Sequence, residues 1–198
     1  MKRTGLRLFG KRTALFFRLQ WRMLLYLLLL LGGFTVGCLL FFEQPAAWTA
    51  RLSPWLTDAG ETPWLSIAAN ACLLRWLLLA ILLAASVSVY GLPVIVLLSV
   101  VYGGWLGVSQ CFWYAGGAAG ILTALLRGLL PATVQIPTLL AASSEATRMT
   151  AALAGQLLPG AAHTGLWPLW RGCMLRFLLC FGLSTLSALL ETAVRVWM

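Results

Sequence analysis

Acidic side chains are nearly missing from this sequence. There are five among 198 residues, and Asp58 is the sole aspartate. Histidine is scarcer still, with His163 alone. General acid–base and metal-assisted catalysis need such groups in pairs or clusters, held within reach of one another. The motifs that arrange them are missing too: the chain has no G-x-S-x-G, no H-E-x-x-H and no Walker phosphate loop. His163 reads as a loop residue. The expectation is a non-enzymatic protein with no catalytic residue, no metal and no cofactor.

Charge of either sign is also short. Only 10% of residues are charged against 61% hydrophobic, and the mean hydropathy is +0.92. Soluble domains carry about a quarter charged residues. A water-soluble fold of this length could not hide so much apolar surface, so the chain reads as an integral membrane protein in contact with lipid. The net charge of +9 does not point to nucleic acid, because a basic patch needs a soluble domain to display it. Seven of the fourteen basic residues (Lys2, Arg3, Arg7, Lys11, Arg12, Arg18, Arg22) precede the first apolar run. Lys and Arg beside a first span stay cytoplasmic. Residues 1–22 are therefore expected as a basic cytoplasmic segment able to touch anionic lipid.

Five cysteines are present but not arranged for chemistry. Cys38, Cys72, Cys111, Cys173 and Cys180 show no C-x-x-C or Cys/His spacing. They read as small hydrophobes of a helix bundle.

What the chain has in plenty is long apolar runs. Residues 23–42 hold nine Leu, three Phe and one Val and no charge. Those side chains favour insertion by roughly 4 to 8 kcal/mol in sum. This is span one. A cleaved signal peptide is the alternative, because small-residue sites follow, but the run exceeds a usual signal core. A polar excursion, residues 43–75, carries Glu43, Arg51, Asp58, Glu61 and Arg75. Its first part, 43–71, is expected as an outer loop. Its tryptophans suit the headgroup level, either as anchors or as a docking surface for an extracytoplasmic partner.

From Trp76 to Ser144 the only charge is Arg127. Residues 76–114 as one helix would be about 58 Å long against a bilayer core of about 30 Å. The chain must turn back. Gly91-Leu92-Pro93 is the best place, since Gly frees the backbone and Pro breaks the ladder. Spans two, three and four are then expected at about 72–90, 93–113 and 117–142. A cytoplasmic connection follows at 143–172, with span five at 173–194. The expected fold class is all-α: a polytopic transmembrane helix bundle of about five spans with Pro/Gly-broken helices, its N-terminus cytoplasmic.

Small and polar residues recur at helical spacing. Gly33 and Gly37 mark span one, and Gly103, Gly107, Gln110 and Tyr114 mark span three. Gly116, Gly120, Thr123 and Arg127 mark span four, and Ser184, Ser187, Glu191 and Arg195 mark span five. Each set shares one helix face. Such faces pack helices together within a chain, or are kept for another subunit, which leaves room for an oligomer.

The stretch LLRGLLPATVQIP, residues 125–137, breaks the apolar pattern. Arg127 at mid-bilayer costs about 2.5 to 3.5 kcal/mol, so it should face protein or a wet groove. Pro131 and Pro137 each remove a donor and free a carbonyl one turn back. Those carbonyls need partners at membrane depth. Arg127 offers five donors and Gln135 two. The stretch reads as a broken span satisfied by its own polar side chains, or as a groove or partner site. Glu191 lies within partial reach of Arg127, with Arg195 four residues on as the alternative partner.

Three stretches carry a resemblance: YGLPVIVLLSVVYGGWLG at 90–107, LLPATVQIP at 129–137 and SALLETAV at 187–194. Together with the length, the basic tail, one sizeable outer loop and five spans, they resemble the stage II sporulation protein M family of bacterial membrane proteins. Members share the Gly-Leu-Pro turn, a Leu-Pro with a second Pro six residues on, and a late glutamate in the last span. Distant members carry His-Gly after the first of those prolines and an acidic residue before the second. Here those places read Ala132-Thr133 and Gln135. The resemblance implies a membrane scaffold of spore engulfment in the mother-cell membrane. It implies two peptidoglycan-degrading partners, stage II sporulation proteins D and P or similar wall hydrolases, which the scaffold recruits and positions. Carried over by residue, Gly91 and Pro93 form the turn, Pro131 and Pro137 the broken span, and Glu191 the late acidic position. Arg127 and Gln135 enter from burial chemistry alone. The alternative function is a permease subunit working with a separate ATPase, because broken helices and an intramembrane arginine can line a substrate path.

Overall fold

A computed structural model describes residues 3–56, 64–156 and 167–197, with side chains from residue 21 onward except Pro54 and Trp55. The expectations for Asp58, Glu61 and His163 lie outside the described residues. Seven α-helices appear among those described: α1 Arg3–Glu43, α2 Pro45–Leu56, α3 Trp64–Ser86, α4 Gly91–Tyr114, α5 Gly117–Thr123, α6 Leu130–Gln156 and α7 Trp167–Trp197. A π turn, Ala124–Leu129, joins α5 to α6 without a break. Five helical stretches are long and apolar enough to cross a membrane: Trp21–Glu43, Trp64–Ser86, Gly91–Tyr114, Gly117–Gln156 and Trp167–Trp197. The chain is therefore an all-α, polytopic bundle.

The helices are longer than the expected spans. The basic tail and span one form a single helix from Arg3. Helix α3 begins at Trp64, eight residues before the position read from hydropathy, and this moves Arg75 from the first turn of the span to about three turns inside it. Within the expected outer loop, Pro45–Leu56 is a helix of its own. Pro45 opens it, where a missing N–H costs nothing. Residues 143–156 belong to α6, and 167–172 to α7. Helix hydrogen bonding continues past the apolar run because leaving a backbone group unpaired costs more than extending the ladder.

Two tight reversals set the topology. Between α3 and α4 the chain turns over residues 87–90, with Ser88 N–H bonded to Ala85 O at 3.1 Å and Gly91 N–H to Ser88 O at 3.1 Å. Gly91 is buried there. A Cβ on it would lie 1.8 Å from the Ala85 carbonyl oxygen, so only glycine fits. Pro93 sits in the first turn of α4, where its missing donor is not needed. Between α4 and α5 the reversal uses Gly117, at φ 74°, a left-handed value that suits glycine.

Helices α1 and α4 run parallel and very close. A Cβ on Gly103 would meet Leu30 O at 2.2 Å, and one on Gly107 would meet Phe34 O at 2.2 Å. From the other side, a Cβ on Gly33 would meet Val100 O and one on Gly37 would meet Gly104 O, each at 2.2 Å. Rising numbers on α1 match rising numbers on α4, which fixes the parallel direction. Helices α6 and α7 run antiparallel, as the pairs Glu145–Arg176, Gln135–Ser184 and Pro131–Ser187 record.

Glu43, Tyr114 and Trp197 thus mark one end of the bundle, and Ser86, Gln156 and Trp167 the other. The main apolar core lies toward the Ser86 end, around Leu79, Leu82, Ile95, Leu139 and Phe177. A second, smaller core lies under α2, where Leu52 and Leu56 cover Phe41, Val108 and Cys111. Leucines such as Leu28, Leu73, Leu178 and Leu183 face outward, as expected of a lipid-facing surface.

Candidate intramembrane polar site

The polar side chains singled out in the sequence gather inside the bundle, but with different partners from those expected. Glu191 sits two turns before the end of α7 and is held between two arginines. Its Oε2 accepts from Arg75 of α3, and its Oε1 accepts from Arg195 Nη2 at 2.7 Å. The side chains of Arg75 and Glu191 are 12% and 18% exposed, so solvent screens the pair weakly. The rise per residue places Arg75 about 16 Å below the start of α3 and Glu191 about 9 Å below the end of α7. Tyr102 of α4 lies within electrostatic reach of both Arg75 and Glu191. One carboxylate against two guanidinium groups leaves the cluster with a net positive charge.

Arg75 is the functional-site residue that sequence reading missed. It was counted with the polar excursion after span one. The signal was there: a glutamate inside a span needs a counter-charge at its own depth. Depth could be matched only with α3 begun at Trp64. Arg127 does not pair with Glu191. It lies half-buried in the π turn, with its guanidinium carbon 5.8 Å from the ring centroid of Trp113 on α4, a cation–π placement.

The prolines do not break the span. Pro131 follows the π turn after one residue, Leu130, whose N–H reaches back five residues to Leu125 O. A proline in an α-helix collides with the carbonyl four residues earlier, here that of Arg127. A wider turn removes that collision while keeping the chain helical. Pro137 lies inside α6 on an exposed face. The reading of a broken helix is thus replaced by a continuous one with a local bulge. Gly128, in the bulge, admits Gln110 of α4, whose Nε2 lies 1.9 Å from where a glycine-to-alanine Cβ would be.

Gln135 does not serve the loosened backbone. Its side-chain oxygen accepts from Ser184 Oγ of α7 at 3.1 Å. Its amide nitrogen is fully buried with no partner. Ser187 Oγ, one turn along, donates to Pro131 O at 2.8 Å. Ser187 of α7, rather than Gln135, reaches the backbone of α6 beside the bulge.

A second ionic cluster lies toward the Ser86 end. Glu145 of α6 is buried and forms ion pairs with Arg148, whose Nε lies 2.9 Å from Oε2, and with Arg176 of α7. Close by, Tyr26 of α1 bonds Thr147, and Thr150 Oγ1 donates to Ala85 O at 3.4 Å. These contacts fix α1 and the first half of α7 to the second half of α6. No group of three or more His, Cys, Asp or Glu side chains able to hold a metal ion is found among the described residues.

The architecture defines a multi-pass membrane protein of the α-helical class, cross-linked at two depths by Arg–Glu–Arg clusters. No family model, curated protein or solved structure matches the chain.

Proposed function

We propose that the chain is a non-enzymatic membrane scaffold of the stage II sporulation protein M type. It recruits and positions peptidoglycan-degrading partners, sporulation proteins D and P or similar wall hydrolases, at the mother-cell membrane during engulfment. The observation that carries this reading is the fate of the carboxylates. Both that lie within the bundle, Glu145 and Glu191, are held between arginines. A carboxylate whose oxygens are taken up by two arginines serves as a cross-link and leaves no oxygen free to meet a reacting proton. The same clusters tie α3, α6 and α7 together, which is what a rigid platform requires. The partner class comes from the resemblance of residues 90–107, 129–137 and 187–194.

The basic tail supports a cytoplasmic N-terminus by the positive-inside rule, and with it a Glu43 end on the side where wall hydrolases act. Helix α2 lies at that end and offers them a surface. The test is affinity purification from sporulating host cells after mild crosslinking, with quantitative mass spectrometry. Hydrolases of the D and P type should be enriched with the scaffold. Their absence, with the scaffold itself recovered intact, would refute the proposal.

A second reading, a permease subunit paired with a separate ATPase, draws on the π turn, where Arg127 lies over Trp113 and Gly128 admits Gln110, because such bulges often mark functional positions. Solute flux in proteoliposomes, lost in Arg127→Leu, would favour it over the scaffold.

A further inference from the structure

Two of the five cysteines are brought together by the glycine seam. The α1–α4 register advances four residues on each helix at a time: Gly103 against Leu30, then Gly107 against Phe34. The next step sets Cys111 against Cys38. Cys38 Sγ lies 3.7 Å from Gly107 O, one turn before Cys111 on α4. Both belong to the small core that α2 covers. Ordinary helix pairs keep their axes about 8 to 10 Å apart. A disulfide needs Cα atoms about 4.4 to 6.8 Å apart. Only a seam lined by glycine lets two helices approach so closely.

We propose that Cys38 and Cys111 are a disulfide-forming pair that ties α1 to α4 beneath α2 at the Glu43 end of the bundle. The inference rests on the reading that this end is extracytoplasmic, where disulfides persist. Cys38 lies about 8 Å and Cys111 about 5 Å before the ends of their helices, by the rise per residue. The oxidant is an extracytoplasmic thiol–disulfide oxidoreductase. Cys38, the more exposed of the two, loses its proton and attacks a sulfur of the oxidant's disulfide. One oxidant thiolate leaves, and a mixed disulfide remains. Cys111, deprotonated in turn, attacks Cys38 Sγ and releases the second oxidant thiolate. Two protein thiols become one disulfide; two protons are released, and the two electrons leave with the reduced oxidant. The bridge holds the outer ends of α1 and α4 at fixed spacing, and with them the seat of α2.

The experiment uses the full chain in its host membrane. Cells are quenched in acid, and free thiols are counted with a polyethylene-glycol maleimide before and after reduction. The wild type should take three labels before reduction and five after. Cys38→Ser and Cys111→Ser should each take four under both conditions. Trypsin should release, without reductant, residues 23–51 joined to residues 76–127, each holding one cysteine. This readout needs no variant to fold. Five labels before reduction, with no joined peptide, overturns the proposal. Ala50→Cys, on the exposed face of α2, is labelled in intact cells with a membrane-impermeant maleimide. Labelling together with an unbridged pair refutes the disulfide alone; no labelling refutes the sidedness as well.

Discussion

Replacing Glu191 by leucine should be the most damaging single change in the bundle. The carboxylate joins α7 to α3 through Arg75, and its other oxygen holds Arg195 at 2.7 Å. Removing it leaves two guanidinium groups facing one another. Arg195 is two residues from Trp197 and can stretch toward the headgroups. Arg75, about 16 Å into α3, reaches them less readily. Breaking a buried pair by removing one partner costs about 3 to 5 kcal/mol, on the order of 10² to 10⁴ in the folding equilibrium. The pair is little exposed, so screening does not reduce this much. Removing Arg75 together with Glu191 deletes the stranded charge. The double variant Arg75→Leu/Glu191→Leu should therefore recover most of the loss, with a coupling of about 2 to 3 kcal/mol. The assay is reversible unfolding in mixed micelles by SDS titration, followed by circular dichroism, for the four members of the cycle. A Glu191→Leu midpoint close to wild type, or a double variant equal to the sum of its singles, would refute the reasoning.

Three further outcomes can be read on the same titration. Gly107→Ala forces a Cβ to within 2.2 Å of the Phe34 carbonyl and should cost about 1 to 3 kcal/mol. Gly128→Ala meets only the end of the Gln110 side chain and should cost less; the reverse order would count against the seam. Gln135→Leu removes a buried amide nitrogen that has no partner but also the acceptor of Ser184 Oγ, and should cost about 1 to 3 kcal/mol. A larger loss would show that the amide is bonded. Glu145→Gln frees Arg148 and Arg176, whose side chains are 38% and 52% exposed. Solvent can take up both charges, so its loss should be smaller than that of Glu191→Leu.

Hydropathy and helix length made the bundle legible before any coordinates. A run longer than a bilayer must turn, and Gly91 and Pro93 sit where α3 gives way to α4. The glycine spacing of Gly103 and Gly107 pointed to one packing face, and that face meets α1. What hydropathy could not give was where helices end. It averages side-chain transfer energies, while the ladder of backbone hydrogen bonds runs on through polar residues. Hence α3 begins at Trp64 and α6 continues to Gln156. That error hid Arg75 as the partner of Glu191. The prolines were misread for a related reason. Losing one donor does not end a helix when a wider turn can absorb the clash, as the turn Ala124–Leu129 does.

The parallel α1–α4 seam also bears on how the protein is made. Parallel neighbours cannot be consecutive spans, so α3 must be threaded through the membrane before α4 exists. During that interval Gly33 and Gly37 present bare backbone to lipid, with no partner yet synthesised. A ribosome stalled before Gly103 therefore leaves α1 unmated, and membrane quality control would meet this chain there first.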